Sequence, residues 1–92
     1  MTARDTHRVP TGVGWTVDRD DGGTRVYVAR LPHGPIHVLD GTAALIWLEA
    51  LRQDPSNLST RVATAAGVPE EALGDDVTRF VADLVARGLL TT

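Results

Sequence analysis

The 92-residue sequence has no cysteine and no lysine, and only four of its residues are aromatic. The lack of cysteine excludes disulfides, thiolate-zinc sites and iron-sulfur clusters, and nothing favours an oxidising compartment. No apolar run approaches the ~20 residues that cross a bilayer, and residues 1–11 lack the apolar core of a signal peptide. We therefore expect a cytoplasmic protein without a membrane partner.

The remaining composition, with 42% hydrophobic and 23% charged residues, is typical of one small globular domain. A chain of this length excludes two independent cores and does not favour a deep substrate cavity. Residues 1–12 contain Pro10 and Gly12 and show no sustained periodicity, so we interpret them as a mobile arm. Residues 13–92 are predicted to form the single domain.

The net charge of −3 is concentrated towards the carboxyl end of the chain. Residues 69–92 carry five carboxylates, balanced only by Arg79 and Arg87. A surface of this sign repels polyanions, so we expect no nucleic-acid partner. The alternative interpretation of these charges is a solvated helix face.

Three β-rich runs, residues 13–18, 24–31 and 35–39, occupy the first half of the sequence. The Asp-Asp-Gly-Gly sequence after the first run favours a hairpin turn, and Pro-His-Gly separates the second run from the third. Because Pro35 cannot donate a ladder hydrogen bond, we predict that the third strand lies at the sheet edge. Such an edge can bind a partner strand, unless its shortness, Pro35 and His37 protect it.

The hydrophobic period then changes to that of helices. The pattern predicts three helices, over residues 42–53, over a shorter stretch that ends at residue 66, and over residues 75–87. Asp40 is the predicted cap of the first helix, and Ser56 or Asn57 that of the second. Three antiparallel strands followed by three helices predict an α+β domain.

The apolar residues predicted to face the core share helical spacing within the last two predicted helices. In the middle helix they are Leu58, Val62 and Ala65. In the last helix they are Val77, Phe80, Val81, Leu84 and Val85.

No set of residues has the pattern of a catalytic or metal site. Of the three histidines, His7, His33 and His37, only the last two share strand parity, and two imidazoles without further ligands do not define a metal site. The adjacent carboxylates at residues 70–71 and 75–76 point in different directions on a helix. We therefore predict that the protein is not an enzyme and binds no cofactor.

Two motifs in the second half of the chain carry a family resemblance. Residues 39–47, Leu-Asp-Gly-Thr-Ala-Ala-Leu-Ile-Trp, match a leucine, an Asn or Asp, then threonine-alanine and isoleucine-tryptophan at the start of a first helix. A last helix with a glycine-leucine finish is matched by Asp76-Val77, Phe80-Val81, Leu84 and Gly88-Leu89-Leu90. Residues 27–90 thus resemble the PqqD-like family, the recognition elements of ribosomally synthesised and post-translationally modified peptide (RiPP) pathways. The family's Gly-x-x-Thr lead into the middle helix is replaced by residues 54–57, Asp-Pro-Ser-Asn.

The resemblance implies a winged-helix-like domain, a non-catalytic peptide chaperone in natural product biosynthesis. It implies binding of a precursor's leader peptide and its presentation to a modifying enzyme, such as a radical enzyme, a cyclase or a leader peptidase. An edge strand can bind a leader by β-augmentation, and the family places the last helix beside that edge. The implied peptide-binding residues are Pro35, Ile36, His37, Val38, Leu39, Asp76, Arg79, Phe80, Asp83 and Arg87.

Alternatives remain for the helix residues and for the function. Phe80 has the helical phase of a core residue, and Arg79 and Arg87 have the spacing to balance Asp76 and Asp83 along the helix. A winged helix can also bind DNA, although the acidic last helix opposes this. A third possibility is an interaction module whose edge strand pairs with its own copy.

Overall fold

The computed structural model describes residues 7–52 and 57–91, and within them three strands precede four helices. In chain order the elements are β1 (Val13–Asp20), β2 (Gly23–Arg30), β3 (Ile36–Asp40), α1 (Thr42–Leu51), α2 (Leu58–Ala66), α3 (Glu70–Leu73) and α4 (Asp76–Ala86). The predicted α+β class is confirmed, whereas the winged-helix likeness stays a prediction. The prediction of three helices misses α3, because four residues are too few to show a helical period.

The three strands form one antiparallel sheet in the order β1-β2-β3. Asp20 pairs with Gly23 across a two-residue turn, and Asp20 Oδ1 accepts a hydrogen bond from Gly22 N at 2.8 Å. Gly23 has a φ of 115°, which favours glycine, so the predicted hairpin is confirmed with its physical reason. Among the described residues β3 pairs with β2 alone, which makes β3 an edge strand, as predicted.

The core lies between one face of the sheet and the helices. Val26 and Val28 of β2 are fully buried there, and so is Trp47 of α1. The Trp47 ring meets Trp15 of β1 edge to face, with 5.8 Å between the ring centroids. This contact ties the middle of α1 to β1 of the sheet.

The caps explain where the first two helices begin and end. Asn57 caps α2 as predicted, since its Oδ1 accepts a hydrogen bond from Thr60 N at 3.2 Å, and Gly67 ends α2 with a φ of 71°. The predicted cap of α1 is wrong, because Asp40 is still the last residue of β3. Gly41, with a φ of 56° and no side-chain hydrogen bond, precedes α1 instead. The chain passes from strand to helix within one residue there, and glycine adopts the required positive φ without strain.

The predicted arm has defined contacts from His7 onward. His7 is buried and its N–H donates to Ala50 O at 2.9 Å, while Arg8 pairs with Thr91 in an antiparallel bridge. His7 therefore bonds α1, and Arg8 bonds Thr91. Residues 1–6 and 53–56, including Ser56 and the predicted end of the first helix, lie outside the described residues, and the mobility of the arm stays a prediction.

Candidate functional site

The hydrogen-bond pattern of the sheet shows which backbone groups of β2 bond each neighbouring strand. Leu31 N donates to Gly12 O at 2.7 Å, so this pair is a hydrogen-bonded one between the β1 and β2 sides of the hairpin. Bonded and non-bonded pairs alternate along an antiparallel ladder. Val28 and Val26, which lie three and five residues before Leu31, are therefore in non-bonded pairs with β1 and direct their N–H and C=O groups to β3.

The same alternation fixes the open edge of β3. Val28 of β2 bonds His37 of β3, and Val26 bonds Leu39. The backbone groups of the intervening residues, Ile36 and Val38, consequently point away from β2. The outer edge of the sheet thus presents the N–H and C=O groups of Ile36 and Val38 to a further strand.

A groove, here the β3–α4 groove, runs beside this edge on the helix side of the sheet. Its volume is about 220 Å³, and buried leucines 39, 84 and 89 form an apolar floor. An extended segment laid along β3 would direct every second side chain into this groove. The lining residues are His37, Val38, Leu39, Phe80, Asp83, Leu84, Arg87 and Leu89.

A second groove, the α1–α4 groove, adjoins the first. Its volume is about 450 Å³, and it is lined by Thr42, Ala43, Ile46, Asp76, Arg79, Phe80 and Asp83. Phe80 and Asp83 line both grooves, so these two residues stand at the junction. The Phe80 side chain is half-buried and packs against the core, and it therefore combines the predicted wall position with the alternative core position.

Two ion pairs lie along the exposed side of α4. Arg79 Nη2 is 2.7 Å from Asp76 Oδ1, and Arg87 Nε is 2.8 Å from Asp83 Oδ2. All four side chains are more than half exposed, so the predicted balancing of charge along the helix is confirmed. Exposed pairs of this kind contribute about 0–1 kcal/mol, which means that they can exchange partners at little cost when a charged ligand arrives.

The structure brings most of the implied peptide-binding residues to the two grooves, but Pro35 and Ile36 lie elsewhere. Pro35 precedes β3 and lines a separate cavity in the turn of residues 30–35. Ile36 pairs with Ala29, and its side chain points to the sheet face that the described helices leave uncovered. Leu39 is 8% exposed, so its side chain is core and contributes only the floor of the groove.

Other residues line the grooves without having been predicted as site residues. They are Thr42, Ala43 and Ile46 of α1, with Leu84 and Leu89 at the end of the chain. Apolar residues at helical spacing indicate a core. The same spacing does not show whether such a residue also lines a groove. The one sequence signal for the α1 residues was their spacing of three and four, which places them on one helix surface.

Within residues 7–52 and 57–91, no three side chains of the metal-binding types come together. The histidines are apart, since His33 lies in the β2–β3 turn, His37 lines the β3–α4 groove, and His7 lines a cavity between α2 and α4. The same ranges contain no helix with the length and apolar character of a membrane span.

The fold and the grooves define a class of protein, a small α+β domain that keeps one sheet edge open beside a helix. The family model described as coenzyme PQQ synthesis protein D (PqqD) matches residues 22–90, well over half of the chain. The protein therefore belongs to the PqqD family, which confirms the resemblance and fits an accessory role in the biosynthesis of PQQ and of modified peptides. No curated protein and no solved structure matches the chain significantly.

Proposed function

We propose that this protein is a peptide chaperone that binds the leader region of a ribosomal precursor peptide as an added strand on β3. The observation that carries the proposal is the open edge of β3, with the outward backbone groups of Ile36 and Val38 directly beside the β3–α4 groove. Membership of the PqqD family supports the same function. A second strand here would add backbone hydrogen bonds for affinity, and the grooves would supply selectivity.

The register shows what kind of leader fits. In an antiparallel addition, leader side chains opposite His37 and Leu39 lie on the helix side of the sheet, because directly opposed residues share a face. These two positions are two residues apart, and both point towards the groove walled by Phe80. We therefore expect a leader with large apolar side chains at alternate positions, with affinity near micromolar because the peptide must become ordered on binding.

The modification itself belongs to a partner enzyme in this proposal. The grooves bring together no combination of nucleophile, base and oxyanion donors. The protein holds the leader and presents the remainder of the precursor to a modifying enzyme, for which a radical enzyme, a cyclase or a leader peptidase are the candidates. No cofactor, nucleic acid or membrane takes part.

Replacement of Val38 by proline tests the strand addition. The Val38 N–H points to the open edge. Proline at this position therefore removes the N–H that would donate to the leader backbone, and it removes no hydrogen bond between β3 and β2. We expect the Kd for the cognate leader, measured by titration calorimetry, to rise at least about fivefold, which corresponds to the ~1 kcal/mol of one hydrogen bond.

Arg19→Pro is the matched control for this experiment. Arg19 is exposed on β1, and its N–H faces the other open edge by the same alternation, so proline perturbs the sheet without touching β3. We expect wild-type leader affinity for this control, with circular dichroism showing that both variants are folded. Equal affinity of Val38→Pro and wild type would contradict strand addition. Amide shifts confined to β1 or to α2, with Ile36–Asp40 unmoved, would place the leader elsewhere.

A further inference from the structure

The sheet face opposite the helices carries exposed apolar side chains. Leu31 is 61% exposed, Ile36 69% and Val38 53%. Tyr27 and Ala29 lie on the same face, because they pair with Val38 and Ile36 across the β2–β3 ladder. Here we call these five residues the open-face patch.

The patch is one continuous surface. Its neighbours on β1 are small, since Gly14 and Thr16 pair with Ala29 and Tyr27. A shallow depression of about 270 Å³ lies over these strands. A Cβ atom on Gly14 would meet Leu31 Cδ1 at 2.9 Å, which shows that the leucine folds over this glycine and joins the patch. An apolar surface that the described part of the chain leaves uncovered is, on a small protein, typical of a protein interface.

The other end of the same face is acidic. Asp18 and Asp40 flank Arg25 in one cross-strand row, and Asp20 binds the same arginine at 3.1 Å. Three carboxylates against one guanidinium leave this end with excess negative charge. A complementary surface is therefore apolar where it meets the patch and carries arginine or lysine where it meets Asp18 and Asp40.

The size of the patch argues against a second copy as the occupant. A stable dimer buries about 800 Å² on each partner, whereas a few exposed side chains on three short strands present a surface of a few hundred Å². A leader strand beside β3 would widen the sheet by ~4.8 Å, and its side chains opposite Ile36 and Val38 would lie on the open face. The open face with a bound leader is therefore larger than the open-face patch alone, and its side chains depend on which leader is bound.

From this geometry, and resting on the proposed function, we infer that the modifying enzyme docks on the open-face patch together with the outward side chains of the bound leader. Its docking surface is apolar with a basic rim. The enzyme thereby distinguishes the loaded chaperone from the empty one, and the leader and the enzyme raise each other's affinity by the same factor.

Variants outside the proposed leader site test the inference. The double variant Leu31→Ala with Tyr27→Thr removes two side chains of the patch, and neither residue lines the β3–α4 groove. Val85→Ala is the matched control, because Val85 is a 41% exposed apolar residue on α4 that lines a cavity away from the sheet. The probe is the purified enzyme that modifies the cognate precursor, titrated by biolayer interferometry with and without saturating leader.

We expect the double variant to weaken enzyme binding about tenfold in the presence of leader, since it removes apolar area that the interface would bury. Tenfold corresponds to ~1.4 kcal/mol. The control is expected to bind as wild type does. Asp18→Asn is expected to weaken binding about two- to fivefold at low salt, the range of an exposed ion pair, and Glu71→Gln on α3 to have no effect.

Two outcomes with the double variant would overturn the inference. One is unchanged enzyme affinity of the double variant, and the other is a concentration-dependent dimer in analytical ultracentrifugation that the same variant abolishes, which would assign the face to a second copy. Titration of the protein with leader alone distinguishes failure of the inference from failure of the proposed function. Failure of the wild type to bind the leader overturns the proposed function itself, whereas leader binding without leader-enhanced enzyme binding overturns only the inference.

Discussion

Truncation of Phe80 to alanine should weaken leader binding more than it weakens the fold. The Phe80 ring is half-buried against the core and stands where the β3–α4 and α1–α4 grooves meet. An extended leader that directs alternate side chains into the β3–α4 groove would cover the exposed part of the ring. The substitution therefore removes a wall that two grooves share.

The magnitudes follow from the burial of the ring. A fully buried phenylalanine costs ~3–5 kcal/mol when replaced by alanine, and the half-buried Phe80 should cost about 1–2 kcal/mol of the free energy of unfolding. If the leader covers ~50 Å² of the ring, the lost burial is about 1.3 kcal/mol at ~25 cal/mol per Å². The Kd for the leader should accordingly rise about tenfold.

The assay needs a control that is destabilised without losing the groove. Val77 is buried on α4 and lines the cavity next to α2, away from both grooves, so Val77→Ala should lower stability by about 2 kcal/mol. We expect this variant to bind the leader within twofold of wild type in calorimetry, as long as denaturation curves show it folded. Wild-type affinity of a folded Phe80→Ala, or an equal loss in Val77→Ala, would refute the reasoning.

Three further outcomes are expected. Trp47→Ala should lower the free energy of unfolding by ~3–5 kcal/mol in denaturant titrations, whereas Trp47→Phe should cost less because the buried Nε1 has no hydrogen-bond partner among the described residues. The purified protein alone should leave a cognate precursor unmodified in mass spectrometry, and turnover without a partner enzyme would contradict the non-catalytic role. Random duplex DNA should not bind at ~0.15 M salt, since α4 carries exposed Asp76 and Asp83; micromolar binding in fluorescence anisotropy would contradict this.

The sequence predicts the strands and the open edge well because local chemistry decides them. Residues 20–23 suit a tight turn, and Pro35 cannot donate a ladder hydrogen bond, so the order β1-β2-β3 with β3 at an edge follows from short-range rules. The bounds differ by one or two residues. Pro35 lies outside β3, which begins at Ile36 and continues to Asp40.

The sequence predicts less well which residues of a helix are buried, because the apolar stripe of a helix is wider than the part of it that a neighbouring element covers. Val85 is predicted to face the core but is 41% exposed, and Ala65 is exposed where Ala63 is buried. Where each stripe meets a neighbour depends on the packing of α1, α2 and α4 together. Periodicity within one helix contains no information on that packing.

The grooves are the part of the site that the sequence does not predict. Their walls come from β3, α1 and α4, which are far apart in the chain, and their floors consist of leucines whose pattern indicates only a core. The outward direction of the Val38 N–H also depends on which opposed pairs of the sheet are hydrogen-bonded. The bond from Leu31 N to Gly12 O identifies one bonded pair, and the alternation along the ladders identifies the others. Part of the lining was therefore identifiable from the sequence, but the α1 residues, Leu84, Leu89 and the arrangement of the whole site were not.

Residue-resolved amide hydrogen exchange, with and without the cognate leader, tests strand addition to β3 most directly. In the free protein the N–H groups of His37 and Leu39 bond β2 and should exchange slowly, whereas those of Ile36 and Val38 face the open edge and should exchange fast. Saturation with leader should slow exchange at Ile36 and Val38 to the level of their neighbours. Unchanged fast exchange at both residues, under conditions where the leader is shown to be bound, would contradict strand addition.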